Sequence, residues 1–197
     1  MSDNHGTTPP CMREPSPWVL RFLAGARPGG AMLDVACGGG RHMRAALAAG
    51  FSATGIDRNL ADVADLGGRP DVTLHEADLE DGSPFPLAGR LYDLIVVTNY
   101  LWRPLFPALL DALADDGVLV YETFALGHDR NGRPVDPAFL LAPNELLRLV
   151  GERAVVVAYE HGVIPPPPRP KIVQRIAAVG RRHRWAGSEP MPLPPRS

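Results

Sequence analysis

The sequence predicts an α/β fold, a mostly parallel and doubly wound sheet within one domain. Three observations carry this expectation. Short apolar runs at 31–36, 52–57 and 92–99 are separated by segments with helical spacing, the alternation that parallel strands joined by crossover helices require. The core of the run at 92–99, Leu-Ile-Val-Val, is apolar without alternation, which marks a strand covered on both faces. Finally, the first run passes through three consecutive glycines into an Ala-rich segment, a turn that carries a strand into a helix at the carboxyl edge of a sheet.

The elements follow in order. Ser16 before Pro17 is an N-cap and first-turn pair, and WVLRFLAGA supplies helical spacing until Pro28-Gly29-Gly30 stops it. The run at 31–36 is a strand, 41–49 a helix closed by Gly50, and 52–57 a second strand. A short helix is predicted over 59–66, a third strand from Val72, a fourth over 92–99, a helix over 104–113, a fifth strand over 117–124 and a helix over 144–150. Residues 153–159 and 171–179 read as two strands with no helix between them. The prolines at 165–168 exclude a helical crossover, so this last pair is expected to be antiparallel.

Composition bounds the function classes. With 197 residues and 45% hydrophobic content the chain can bury a sizeable core. Lys plus Arg number 20 against 22 for Asp plus Glu, and a net charge of -2 gives no global field to attract nucleic acid or acidic lipid. No apolar run approaches the roughly 18 residues of a membrane helix, and the first residues lack an apolar h-region, so a cytoplasmic, non-membrane protein is expected. Cys11 and Cys37 lack paired metal-ligand spacing, so no metal site is expected. Residues 1–15 and 181–197, rich in Pro, Ser, Gly and charge, read as disordered tails around a domain at 16–180. RRHRW at 181–185 reads as part of a solvated tail, with contact to RNA or an acidic partner as the other reading.

The glycine turn separates two ligand classes. A dinucleotide site wants G-x-G-x-x-G, and here Gly38 and Gly40 supply the first two glycines while Met43 occupies the third position. Asp34, within the preceding run, suits a cationic ligand better than a pyrophosphate, and S-adenosylmethionine carries both a sulfonium and an ammonium.

LDVACGGGRH at 33–42, together with GIDRN, EADLED and YDLIVVTNYL, resembles the motifs of class I S-adenosylmethionine-dependent methyltransferases. The stretches NYLWRPLFPALLDAL and GVLVYETFALG are more loosely similar to small bacterial enzymes of the tellurite-resistance type. The resemblance implies a Rossmann-like, doubly wound seven-stranded sheet with an antiparallel final hairpin, and S-adenosylmethionine as cofactor. It also implies site roles. Asp34 would accept the ligand's amino group, the backbone of Ala36, Gly38 and Gly40 would line methionine and ribose, and Arg41 with His42 would meet the methionine carboxylate. Asp57 would take the ribose hydroxyls, Asp78 and Leu79 the adenine, while Asn99, Tyr100 and Leu101 would face the methyl group.

Duller readings stand beside these. The glycines can form any tight turn, Asp57 can cap a helix, Asp78 can be a turn residue, and Arg41 and His42 can be a solvated first-turn pair. Cys37 reads as a packed residue, and Trp102 and Phe106 as core. For the acceptor, a small molecule is expected, with Tyr100, Arg103, Glu122 and Phe124 as contacts at the ends of the fourth and fifth strands. The insertion at 125–140, with Gly127, Gly132, Pro134 and Pro137, reads as a lid or a mobile surface loop, and its Arg130 and Arg133 would meet an anionic acceptor. Methyl transfer is a displacement in which positioning supplies most of the acceleration, so no general base is assigned. Two rival functions remain at this stage. One is an NAD(P)-dependent reductase, and the other is a cofactor-binding domain without turnover.

Overall fold

A computed structural model describes residues 14–130, 132–166, 169–187 and 189–193. The expectations for 1–13 and 194–197, Cys11 among them, fall outside the described residues. Helix α1 (Pro17–Leu23) opens on Ser16, whose side chain accepts a hydrogen bond from the Trp18 amide, with Pro17 in the first turn. Strand β1 (Ala31–Val35), α2 (Arg41–Ala48), β2 (Ser52–Asp57), β3 (Val72–Glu76) and β4 (Tyr92–Thr98) follow as expected. The chain continues through α3 (Phe106–Asp111), β5 (Leu113–Phe124), α4 (Glu145–Val150), β6 (Val155–Ile164) and β7 (Lys171–Val179).

The seven strands form one sheet in the order β3-β2-β1-β4-β5-β7-β6. The first five pair in parallel, and β7 runs antiparallel to both β5 and β6, which is the reversed hairpin expected from the prolines. Every residue of β4 is buried, in keeping with its unbroken apolar run. One face of the sheet packs against Phe106, Leu109, Leu146 and Val150 of α3 and α4. The other packs against Trp18, Val19 and Phe22 of α1 and Met43 and Ala46 of α2. α2 closes onto the sheet through Gly55 of β2. A Cβ there would lie 2.5 Å from Met43 Sδ and 3.0 Å from Cys37 Sγ, so the glycine that permits close helix–strand approach sits on the strand rather than at position 43.

Several boundaries differ from expectation for identifiable reasons. The segment at 59–66 is a 3-10 helix over Ala61–Leu66, preceded by two tight turns in which Asp57 Oδ1 accepts from the Asn59 amide and Asn59 Oδ1 from the Ala61 amide. The helix expected over 104–113 splits into a 3-10 turn, Arg103–Leu105, and α3, with Pro107 in the first turn of the latter. β5 begins four residues early because Leu113 pairs with Tyr92 across an irregular step of the ladder. β6 extends to Ile164, its pairing with β7 running through Ile164 opposite Lys171.

The run RRHRW is docked rather than solvated. His183 is buried, its Nδ1 accepting from the Trp185 amide, so Nε2 carries the proton and donates to the Gly25 carbonyl at 3.0 Å. Trp185 meets Phe22 edge-on at 6.4 Å, and a Cβ at Gly25 would overlap its ring. The arginines at 181, 182 and 184 do face solvent, as a charged tail would.

Candidate functional site

In an open parallel sheet the carboxyl ends of the strands and the loops that leave them form the natural crevice for a ligand. Here that edge holds a cleft of about 470 Å³ to which all five parallel strands contribute. Ala36 follows β1, Asp57 ends β2 and Arg58 follows it, and Ala77, Asp78, Leu79 and Glu80 follow β3. Asn99, Tyr100 and Leu101 follow β4, Thr123 and Phe124 end β5, and Pro134 and Phe139 reach in from the loop beyond. The volume lies in the range that encloses small ligands.

Local geometry explains how these groups are held. Ala36 has φ 53° and Asn99 φ 56°, left-handed conformations that cost a side-chain-bearing residue on the order of 1 kcal/mol or more. Both lie where the chain leaves a strand at the cleft. Asp57 Oδ2 accepts from the Gly38 amide at 2.8 Å, tying the end of β2 to the glycine turn. Asp57 therefore anchors the turn and presents a carboxylate to the cleft, and a carboxylate has lone pairs for further donors. Asp78 Oδ1 accepts from the Glu80 amide at 2.9 Å, so the turn reading and the wall position hold together. The Tyr100 carbonyl accepts from the Tyr121 hydroxyl at 2.8 Å, and Tyr121 stacks on Phe106 at 4.9 Å. The Tyr100 hydroxyl is buried beside the Glu80 carboxylate, and burial first, then that carboxylate, push it above the ordinary phenol range. Phe124 is backed by His128, the two rings stacked 4.3 Å apart.

The remaining candidates lie off the walls of this cleft. Asp34 is 1% exposed within β1, with Oδ2 buried and unpartnered, and burial pushes its carboxyl well above the usual range. Gly40 begins α2 at φ 69°, and a Cβ there would lie 2.6 Å from Val63 Cγ2, so its size serves packing. Arg41 donates to the Glu14 carbonyl and, at 3.4 Å, to Thr98 Oγ1. His42 is neither solvated nor a charged partner. Its Nε2 accepts from the Ser16 amide at 3.2 Å, which leaves the proton on Nδ1, 3.9 Å from Asp34 Oδ2 and beyond hydrogen-bond reach. Burial, and then Arg41, lower its pKa to about 3, so the contact with Asp34 is not an ion pair at neutral pH.

The acceptor candidates divide in the same way. Tyr100 and Phe124 line the cleft. Glu122 points to the α1 side of the sheet, where Oε1 accepts from Ser16 Oγ at 3.1 Å and Arg175 lies 3.5 Å from Oε2. Arg103 grips Glu145 through Nε at 2.6 Å and Nη2 at 3.1 Å, and donates to the Ala138 and Leu140 carbonyls. Its donors hold the loop to α4 instead of entering the cleft. Arg130 and Arg133 are exposed and off the walls, whereas Pro134 and Phe139 of the same loop are on them.

Arg58, Ala77, Glu80, Thr123, Pro134 and Phe139 are wall residues that the motifs did not single out. Four of them adjoin a named residue in sequence. Of the two loop residues, Pro134 belonged to the Gly- and Pro-rich pattern that marked the insertion, and Phe139 carried no local signal. A second cavity of about 480 Å³ adjoins the first across Ala77, Asp78 and Leu79 and includes Trp102, which also packs against the core. Among the described residues, no three His, Cys, Asp or Glu side chains are grouped to hold a metal ion, and no helix is long and apolar enough to cross a membrane.

The seven-stranded, mostly parallel sheet with its reversed final hairpin is a Rossmann-like methyltransferase fold, and its cleft lies at the carboxyl edge. Residues 10–161 match the model of a family described as a methyltransferase domain, and the chain belongs to that family. No curated protein matches it. Among solved structures it is similar to TehB from Haemophilus influenzae, with 17% identity and a TM-score of 0.67 over 82% of this chain and 61% of that one. It thus spans less than two thirds of TehB. An S-adenosylmethionine-dependent methyltransferase from Mesorhizobium loti is 18% identical, TM-score 0.64, over 83% of this chain and 98% of that one. The glycopeptide N-methyltransferase MtfA, complexed with S-adenosyl-L-homocysteine, is 18% identical, TM-score 0.60, over 86% and 91%. At these identities the likeness is one of fold.

Proposed function

We propose that this protein is an S-adenosylmethionine-dependent methyltransferase acting on a small-molecule acceptor. The observation that carries the proposal is the cleft itself, which brings Ala36, Asp57, Asp78, Leu79, Asn99 and Tyr100 from four separate strand ends onto one wall system. The residues fit the cofactor. Asp57 has carboxylate lone pairs for ribose hydroxyls, and Asp78 and Leu79 offer an acceptor and an apolar face for adenine. When bound, the cofactor supplies an activated methyl group on a sulfonium. The chain's own contribution is positional: the left-handed turns at Ala36 and Asn99 fix the strand ends, and the aromatic faces of Tyr100, Phe124 and Phe139 exclude water around the acceptor.

The loop at 125–140 serves as a cover in this reading, its apolar Pro134 and Phe139 over the cleft and its arginines outward. A cytoplasmic setting belongs to the same proposal, supported by the free, buried Cys37 thiol. Thermal unfolding with S-adenosylhomocysteine tests it. A ligand at 100 times its Kd adds about 2.7 kcal/mol to native stability, and NAD(P)H is expected to add nothing. Stabilisation by the nicotinamide cofactor alone refutes the proposal.

A further inference from the structure

Resting on that reading, we infer that the methyl acceptor is a small amine, taken in as its ammonium form between the aromatic faces of Tyr100, Phe124 and Phe139. The first support is the charge of the walls. Asp57, Asp78 and Glu80 face the cleft with Arg58 as the one wall cation among the described residues, and Arg58 adjoins Asp57 at the end where the ribose is read to lie. Arg41 donates to the Glu14 carbonyl and to Thr98 Oγ1, and four further arginines are directed elsewhere. Arg103 is held by Glu145 and two loop carbonyls, Arg130 and Arg133 face solvent, and Arg175 pairs with Glu160 at 2.5 Å and lies 4.6 Å from the Trp18 ring centroid on the α1 side. A carboxylate, phosphate or thiolate acceptor placed between the rings would therefore meet the like charge of Asp78 and Glu80, with the wall guanidinium at the Asp57 end instead, which is unfavourable in a partly enclosed site.

The second support is the set of faces. The Tyr100 backbone is tied to the Tyr121 hydroxyl and its own hydroxyl is buried beside Glu80, Phe124 is backed by its stack on His128, and Phe139 on the loop, 38% exposed, lies on the third side. Rings with a negative quadrupole face attract an ammonium within about 6 Å.

The third support is proton chemistry. Among the described residues neither an imidazole nor a thiol is on the walls, and the Tyr100 phenol is held protonated by its burial. A hydroxyl acceptor is a weak nucleophile unless its proton is removed as it attacks, and only carboxylates are at hand to take it, whereas an ammonium can shed its proton to a carboxylate or to water beforehand and then attack as the neutral amine. Such an acceptor gives one proton to water or Glu80, donates its nitrogen lone pair to the incoming methyl carbon, and leaves as the methylated ammonium bearing the positive charge that sulfur has lost with return of its bonding pair.

The test uses the full chain saturated with S-adenosylhomocysteine and three probes of one shape, phenethylamine, 2-phenylethanol and phenylacetate, titrated calorimetrically at neutral pH. The amine is expected to bind at least about tenfold more tightly than phenylacetate, with the alcohol between them, and Glu80→Gln is expected to narrow that gap. Phenylacetate binding as tightly as the amine, or no measurable binding of the amine to the saturated protein, overturns the inference while leaving the methyltransferase reading intact. Failure of S-adenosylhomocysteine itself to bind removes the reading beneath it, and the inference falls with it.

Discussion

His42 gives the sharpest test of the buried polar contacts behind the cleft. It is 2% exposed, accepts from the Ser16 amide, and has its pKa lowered to about 3 by burial and then by Arg41. In the unfolded chain an imidazole titrates near 6.5. Between these values the unfolded state binds the extra proton, so this residue's contribution to stability is present above about 6.5 and is lost as pH falls toward about 3. At about 1.4 kcal/mol per pKa unit, acidification from about pH 7 to about pH 5 removes roughly 2 kcal/mol.

Asp34 acts in the opposite sense. Its folded pKa is raised, so its contribution is present at low pH and lost as pH rises through the ordinary carboxylate range, and the wild-type curve sums the two. The difference between wild type and His42→Gln isolates the imidazole, since the amide oxygen can still accept from Ser16. Urea unfolding of both proteins at the two pH values is expected to show that difference shrinking by about 2 kcal/mol on acidification. A constant difference would mean that His42 takes up its proton in the native state without penalty, and a difference that grows would mean that it forms an ion pair with Asp34.

Three further outcomes are expected. Asp57→Asn weakens S-adenosylhomocysteine binding by about 1.5–3 kcal/mol through loss of charge-assisted bonds; unchanged affinity by calorimetry would confine Asp57 to anchoring Gly38. Ala36→Gly relieves a left-handed alanine and raises unfolding stability by about 0.5–1 kcal/mol, the strain removed exceeding the entropy glycine adds to the unfolded chain; a lower denaturation midpoint contradicts this. Trp185→Ala strips a half-buried ring from Gly25 and Phe22 and lowers stability by about 2–3 kcal/mol, less than for a fully buried tryptophan; a thermal midpoint equal to wild type would show that this segment does not contribute.

What was legible in the sequence was local. The Ser16-Pro17 pair starts α1 through bonds made within two residues, and β2 and β7 keep the limits their apolar runs suggest. The reversed hairpin followed from prolines that cannot be helical. What escaped depended on partners distant along the chain. Arg103 is occupied by Glu145, 42 positions away, and His42 by Ser16, 26 positions away, and no spacing rule announces either. Strand alternation places Glu122 and Thr123 on opposite faces but does not say which faces the cleft. Asp57 and Asp78 each combine a turn role with a wall position, so readings that competed in the sequence coexist in the fold.

The docking of α1 sets an order for the birth of the fold. Trp18 donates its indole proton to the Ile176 carbonyl and stacks beneath Arg175, Ser16 bonds to Glu122, and Phe22 meets Trp185. Helix α1 therefore finds this part of its seat assembled from residues made more than a hundred positions later. Until β7 has slipped between β5 and β6 and Trp185 has followed, its apolar stripe stays bare, a span of exposure in which a holding chaperone has something to grasp.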